Sequence, residues 1–177
     1  MGIGIQICGL NGCGKSTLGK ALAARTGYYF IDNENLYFSR TANTEPYANP
    51  RSRQEVERLL MDEVHAHPDF IFAAVKGDYT PEILALYDYV ILIEVPQEVR
   101  IQRIRNRSFE KFGNRMLAGG DLHEQEEAFF QLAASRPHDY AERWLHGLTC
   151  PVIRVDGTKP INENVEYILQ QLQREDL

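Results

Sequence analysis

The sequence predicts an α/β fold built on a parallel sheet, and three observations carry that prediction. Five short apolar segments of strand length alternate with segments of helical periodicity. Two of the strand segments, "FIFAAV" (70–75) and "YVILIEV" (89–95), are apolar almost without interruption, as expected where helices cover both faces of a sheet. With 177 residues, 44% of them hydrophobic, the chain holds enough apolar material for one good core, so a single domain over 1–177 is expected.

The elements follow in order. "IGIQIC" (3–8) reads as the first strand and residues 15–26 as a helix, with Leu18, Ala21, Leu22 and Arg25 at helical spacing. "YYFI" (28–31) is a short β-rich second strand, and "TANTEPYANP" (41–50), with two prolines and two asparagines, reads as a loop. Helical periodicity resumes at Val56, Leu59, Leu60 and Val64 and stops at His67-Pro68. Between the third and fourth strands, Thr80 and Pro81 read as a helix N-cap and a proline at the first helical position. A long polar helix follows Pro96, then the glycine-punctuated loop "FGNRMLAGGD" (112–121), then two helices split at Pro137. "PVIRV" (151–155) reads as the fifth strand, and Ile161, Val165, Ile168, Leu169 and Leu172 mark a last amphipathic helix. Parallel strands joined through helices imply right-handed crossovers. No internal repeat or low-complexity tail is visible.

Composition excludes several classes. No apolar run approaches the roughly 18–20 residues that span a bilayer, and no basic segment followed by an apolar one opens the chain, so a soluble protein without a visible address is expected. Gly2 follows Met1, but Gln6 stands where N-myristoylation needs Ser or Thr. The three cysteines, Cys8, Cys13 and Cys150, show no CxxC spacing, which argues against a disulfide framework or zinc cluster and fits a reducing cytoplasm. The net charge is −6, yet residues 100–115 ("RIQRIRNRSFEKFGNR") hold Arg100, Arg103, Arg105, Arg107, Lys111 and Arg115 against Glu110 alone. An acidic chain with one basic stretch suits a small polyanion better than nucleic acid, although a solvated helix face is the ordinary source of such a cluster.

The stretch "GLNGCGKST" (9–17) carries the chemistry. Gly9-x4-Gly14-Lys15-Ser16 matches the G-x-x-x-x-G-K-[ST] pattern and lies between a predicted strand and a predicted helix. Glycines at 9, 12 and 14 let the backbone turn with positive φ, so that successive N–H groups, including those of Asn11 and Cys13, face one anion. The helix opening behind them adds unpaired N–H groups and its positive dipole end. Lys15 supplies a movable charge for β- and γ-phosphates, the Ser16 hydroxyl can ligate Mg²⁺, and Thr17 continues the phosphate-facing turn. ATP and Mg²⁺ are therefore the expected cofactors.

Beyond this loop the chain resembles the nucleoside monophosphate kinase superfamily, which includes adenylate, cytidylate, shikimate and gluconate kinases. The resemblance spans nearly the whole length and implies a P-loop three-layer α/β/α sandwich with a five-stranded parallel sheet of order 2-3-1-4-5. It also implies a helical lid at about 105–137 and an acceptor-binding excursion at about 33–68. "VILIEVPQEVRIQRIRNR" (90–107) resembles the fourth strand of these kinases and the helix that carries an R-x-x-x-R pair into the lid, here Arg103 and Arg107. At i and i+4 the two guanidiniums leave one helix face and can reach one nucleotide. The resemblance sets Arg103 against the adenine or its phosphates and Arg107 near the transferred phosphoryl, and leaves Arg100 and Arg105 facing solvent. "SRPHDYAER" (135–143) is similar to the lid's return, with Arg136 implied over the γ-phosphate and Asp139 and Arg143 in the following places. "RVDGTKPINENVEYI" (154–168) is similar to the Asp-Gly-Thr-x-Pro turn that rims the adenine, which assigns Gly157, Thr158 and Pro160 to the base.

Two departures bear on mechanism. Where many members place an aspartate after the third strand to hold Mg²⁺ through water, this chain has Lys76, so either Asp78, two residues later, serves after a shifted turn or the metal falls to Asp32. Asp32 is the preferred candidate for ordering Mg²⁺ or taking a proton from a substrate hydroxyl, because "YYFIDNENL" resembles the second-strand "FID-x-D" of shikimate kinase-like enzymes. A helix N-cap is the plain alternative for Asp32. Asn35, Tyr37, Arg40, Arg51 and Arg53 surround the acceptor region, where arginines suit a phosphate or carboxylate. The expected function is ATP- and Mg²⁺-dependent phosphoryl transfer to a small molecule: a nucleotide, a nucleoside or a small hydroxy acid. A non-catalytic ATP-binding regulator or assembly factor on the same frame is the alternative, favoured by Lys76. No nucleic-acid or membrane partner is expected, and the oligomeric state stays open.

Overall fold

The computed structural model describes residues 2–38 and 49–174. Its centre is a five-stranded sheet made of β1 (Gly4–Cys8), β2 (Tyr29–Asp32), β3 (Phe70–Ala73), β4 (Tyr89–Glu94) and β5 (Val152–Asp156). The spatial order is β2-β3-β1-β4-β5 and each neighbouring pair is parallel. The expected fold class and strand order are therefore those of the molecule. β1 lies in the middle, buried along its whole length, and the loop leaving its carboxyl end opens at the point where the chain's next strands fall to either side. In open α/β sheets that crevice is where ligands bind.

The strand alternation splits the core into two layers. Ile5 and Ile7 of β1, with Ile71, Ile91, Ile93, Ile153 and Val155, face α1 (Lys15–Thr26) and α7 (Ile161–Arg174) through Leu18, Leu22, Val165 and Ile168. Cys8, Phe70, Phe72, Val90 and Leu92 face the other way, onto Val56, Leu60 and Val64 of α3 (Arg53–Ala66). Burial pushes the Cys8 thiol up to about 12, which keeps it neutral in this layer. α3 opens with a complete capping box, Ser52 and Glu55 each serving the other's backbone N–H, and closes at His67 as the sequence predicts. Thr80 and Pro81 open the single turn α4 (Pro81–Leu84) in the expected cap and first positions.

Two segments differ from expectation. The chain turns into a short α2 (Asn33–Tyr37) directly after β2, because Asp32 caps it by accepting the Glu34 N–H at 3.0 Å. After Pro137 there is no second α-helix; the chain advances in tighter turns, ending in a 3₁₀ segment at Arg143–Gly147 that sets Ala141 and Leu145 in the core. The loop at 41–48 and Arg40 lie outside the described residues.

Above the sheet's carboxyl edge, α5 (Gln97–Phe112), a 3₁₀ turn (Gly113–Met116) and α6 (His123–Ser135) form a small cluster of their own around Ile104, Met116, Phe130 and Ala133. Arg105 pairs with both carboxylate oxygens of Glu127 (2.7 and 3.1 Å) and lies over the Phe130 ring, while Arg115 pairs with Asp121. These arginines hold Glu127 and Asp121 below the usual carboxylate range. A depressed folded-state value adds stability above the unfolded value of about pH 4, and that gain disappears as pH falls through the lower folded value. The double variant Arg105→Gln, Arg115→Gln is expected to melt lower than wild type at pH 7, with the gap closing below about pH 3, read by thermal melts across pH. Leu22→Ala, at a fully buried site where α1 meets the sheet, is expected to cost about 2–5 kcal/mol in chemical denaturation.

Candidate active site

The loop between β1 and α1 is shaped by its glycines. Gly9, Gly12 and Gly14 hold φ of 151°, 82° and 97°, and Gly14 is the left-handed N-cap of α1. At Gly12 the reason is close approach as well as φ: a Cβ there would meet the Arg100 carbonyl oxygen at 2.5 Å. At Gly9 it would meet Cys13 Sγ at 2.6 Å and the Ile93 carbonyl at 2.8 Å, so Gly9 serves the loop's packing and lines neither of the two cavities described next. Lys15 Nζ donates to the carbonyls of Gly9 (2.9 Å) and Leu10 (3.2 Å), tying the loop across its own width.

Two cavities flank the loop. The first, about 440 Å³, is lined by Cys13, Gly14, Thr17, Arg103, Gly157, Thr158, Lys159 and Pro160. Arg103 donates to the Gly157 carbonyl at 3.0 Å, and Asp156 accepts the Thr158 N–H at 2.9 Å and the Thr158 hydroxyl at 2.6 Å, so that the turn is closed and its main chain faces inward. These bonds hold Asp156 below the usual carboxylate range. Gly157 has no room for a side chain, since a Cβ would sit 2.5 Å from Val95 and 2.9 Å from the Cys13 carbonyl. The second cavity, about 720 Å³, brings together Asn11, Gly12, Lys15, Ser16, Asp32, Arg107 and Arg136. Arg103 and Arg107, one helical turn apart, thus open onto the two sides of one loop.

Asp32 is the N-cap of α2, the plain alternative, and it also lines the larger cavity together with Ser16. Asp78 and Lys76 do not line it. Lys76 Nζ pairs with Asp78 at 2.8 Å and lies over the Tyr140 ring, while the Asp78 carbonyl accepts from Arg53. Arg143 bonds Asp139 on the outer surface, with its side chain 61% exposed. A serine hydroxyl and an aspartate lining one cavity are hard oxygen donors of the kind Mg²⁺ takes, and the glycine cradle fits a phosphate chain. Among the described residues no group of three His, Cys, Asp or Glu is placed to hold a metal by protein ligands alone.

Arg100 is the correction. Expected to face solvent, it is 2% exposed: its Nη1 donates to the Asn11 carbonyl at 2.9 Å, and Arg136 donates to the Asn11 side-chain oxygen. Two guanidiniums therefore grip one loop residue from α5 and from the chain after α6. Spacing held the signal, because Arg100 shares a helix face with Ile104 and Ser108 at i+4 and i+8, and all three are buried. Sequence reading also passed over Ser108, Phe112, Gln125, Glu126 and Phe129, which line the larger cavity from α5 and α6 together with Lys111 of the basic stretch.

The AAA domain family model matches residues 5–127, from β1 through the first turn of α6. The chain belongs to the AAA domain family. A shikimate kinase of Thermosynechococcus vestitus is 30% identical over 151 residues, covering 80% of this chain and 77% of its own. The uncharacterized protein YqaC of Bacillus subtilis is 29% identical over 176 residues, covering 95% and 96%. Among solved structures, shikimate kinase from Acinetobacter baumannii in complex with shikimate superposes with a TM-score of 0.61 at 21% identity, covering 100% of this chain and 96% of that one. A gluconokinase from Sinorhizobium meliloti gives 0.58 at 17%, covering 97% and 92%. The fold of this AAA domain chain is that of the P-loop small-molecule kinases.

Gly12→Ala in this AAA domain protein is expected to lower affinity for a non-hydrolysable ATP analogue at least ~10-fold by forcing strained φ and a clash with Arg100, measured by titration calorimetry.

Proposed function

We propose that the protein is an ATP- and Mg²⁺-dependent phosphotransferase that moves the γ-phosphoryl of ATP to a small-molecule acceptor, a nucleotide, nucleoside or small hydroxy acid. The observation that carries this reading is the convergence of Lys15, Ser16, Asp32, Arg107 and Arg136 on one cavity beside a glycine cradle. The loop amides and Lys15 bind the β- and γ-phosphates, and the smaller cavity takes the base between Arg103 and the Gly157–Pro160 turn. Bound Mg²⁺ would neutralise charge on the phosphate oxygens. Asp32 accepts the proton of the acceptor hydroxyl as its oxygen bonds to the γ-phosphorus and the bond to the bridging oxygen breaks, leaving ADP. Arg107 and Arg136 stabilise charge that spreads over the γ-phosphoryl, a class of contribution worth roughly 10³–10⁵ in rate.

The segments at about 33–68 and 105–137 serve this chemistry as acceptor-binding excursion and lid, the second supported by its separate small core. No described helix is long and apolar enough to cross a membrane, and a small-molecule acceptor is the partner the cavity fits. Lys76 supports the non-catalytic alternative less than its sequence position suggests, because it lies off the cavity, paired with Asp78.

Lys15→Ala is expected to lower kcat at least ~10² without unfolding the protein, and Asp32→Asn to lower kcat at least ~10² with the ATP-analogue affinity kept within about threefold. Wild-type protein that binds ATP tightly and forms no ADP with any acceptor would select the regulator instead.

A further inference from the structure

The far wall of the larger cavity speaks to the acceptor. Glu126 of α6 lines it and is 5% exposed, yet among the described residues its carboxylate makes no hydrogen bond or ion pair. Gln125 lines the same cavity, as do the rings of Tyr37, Phe38, Phe112 and Phe129. A carboxylate that opens onto a cavity without a protein partner is free to accept from a ligand that presents N–H donors. The aromatic side chains offer faces for a flat ring.

Two of the arginines expected around the acceptor, Arg51 and Arg53, are committed elsewhere. Arg51 Nη1 donates to the Leu36 carbonyl at 2.7 Å, and Arg53 bonds Glu57 and the Asp78 carbonyl while lying over the Tyr79 ring. Neither lines the cavity. Lys15, Arg107 and Arg136 share the cavity with the phosphate loop, where a triphosphate claims them, and Lys111 lies with its Nζ 5.0 Å from the Phe112 ring centroid. An acceptor carrying its own phosphate or carboxylate would meet Asp32, Glu34 and Glu126 as well as Lys111.

Resting on the kinase reading above, we propose that the acceptor is a neutral nucleoside whose base carries an exocyclic amine. Glu126 accepts from the base's N–H edge, Gln125 supplies a second amide contact, the ring stacks among the aromatic side chains, and the sugar hydroxyl turns to Asp32. An amino sugar has the donors without a π face. A nucleoside monophosphate or a hydroxy acid brings a negative charge into a cavity that already holds the Glu126 carboxylate.

The test uses the full chain with a non-hydrolysable ATP analogue, titrated with cytidine, adenosine, guanosine, uridine, the matching 5′-monophosphates, shikimate and glucosamine, followed by ADP release with ATP. At least one amine-bearing nucleoside is expected to bind ~10-fold or more tighter than uridine, its own monophosphate, shikimate and glucosamine. Glu126→Gln is expected to raise KM for that nucleoside at least ~10-fold, with kcat changed less than about threefold and the ATP-analogue affinity unchanged. Should that variant fail to fold, the cytidine-to-uridine comparison on wild type and Gln125→Ala, expected to raise KM several-fold, carry the test. Tighter binding of a monophosphate, shikimate or glucosamine, or a Glu126→Gln protein that keeps wild-type KM, would overturn the nucleoside assignment. ADP formation with an acidic acceptor would do so while sparing the kinase reading; absence of ATP-analogue binding would remove both.

Discussion

A loop that must stay bare while being crowded from three sides governs this structure. Main-chain amides can converge on a phosphate chain only where no side chain intervenes, yet the Ile93 carbonyl presses on Gly9, the Arg100 carbonyl on Gly12, and Gly157 on the Cys13 carbonyl. Each contact sits closer than a Cβ permits. The strand ends, helix α5 and the last turn before α7 are therefore fitted to one stretch of backbone, and the sheet order that puts β1 in the middle brings all three to it.

Charge is distributed around that loop with similar economy. Arg100 and Arg136 hold Asn11 from its main-chain and side-chain oxygens, Lys15 bridges two loop carbonyls, and Arg103 closes on the Gly157 carbonyl. Burial of Arg100 depresses its affinity for a proton and leaves its Nε without a partner, which marks it as a group held by geometry more than by solvation. Asp32, Glu34 and Glu126 share the larger cavity with Lys15, Arg107, Lys111 and Arg136, so groups of both signs line it together with aromatic side chains.

Much of the fold could be read in the chain because its signals are local. Near-continuous apolar strands, the Ser52–Glu55 box, Thr80-Pro81 and the His67-Pro68 stop each depend on a few neighbouring residues, and each stands where expected within a residue or two. The cradle was equally legible, since its spacing is its mechanism. What escaped notice depends on tertiary neighbours. A basic run gives no sign that Arg100 turns inward while Arg105 turns to Glu127; only the face shared with Ile104 hints at it. Glu126 looks like one more acid in "HEQEEA" until α6 lies against α5 and encloses it. The helix expected after Pro137 was overridden by tight turns that deliver Ala141 and Leu145 to the core.

Ile104 belongs to two bodies at once. It is fully buried in the small cluster with Met116, Phe130 and Ala133, and its Cγ1 stands 3.0 Å from where a Gly12 Cβ would be. The enclosure over the cavity and the curvature of the cradle are thus geared through a single aliphatic side chain. Any tilt of that cluster would therefore press directly on the loop backbone beneath it.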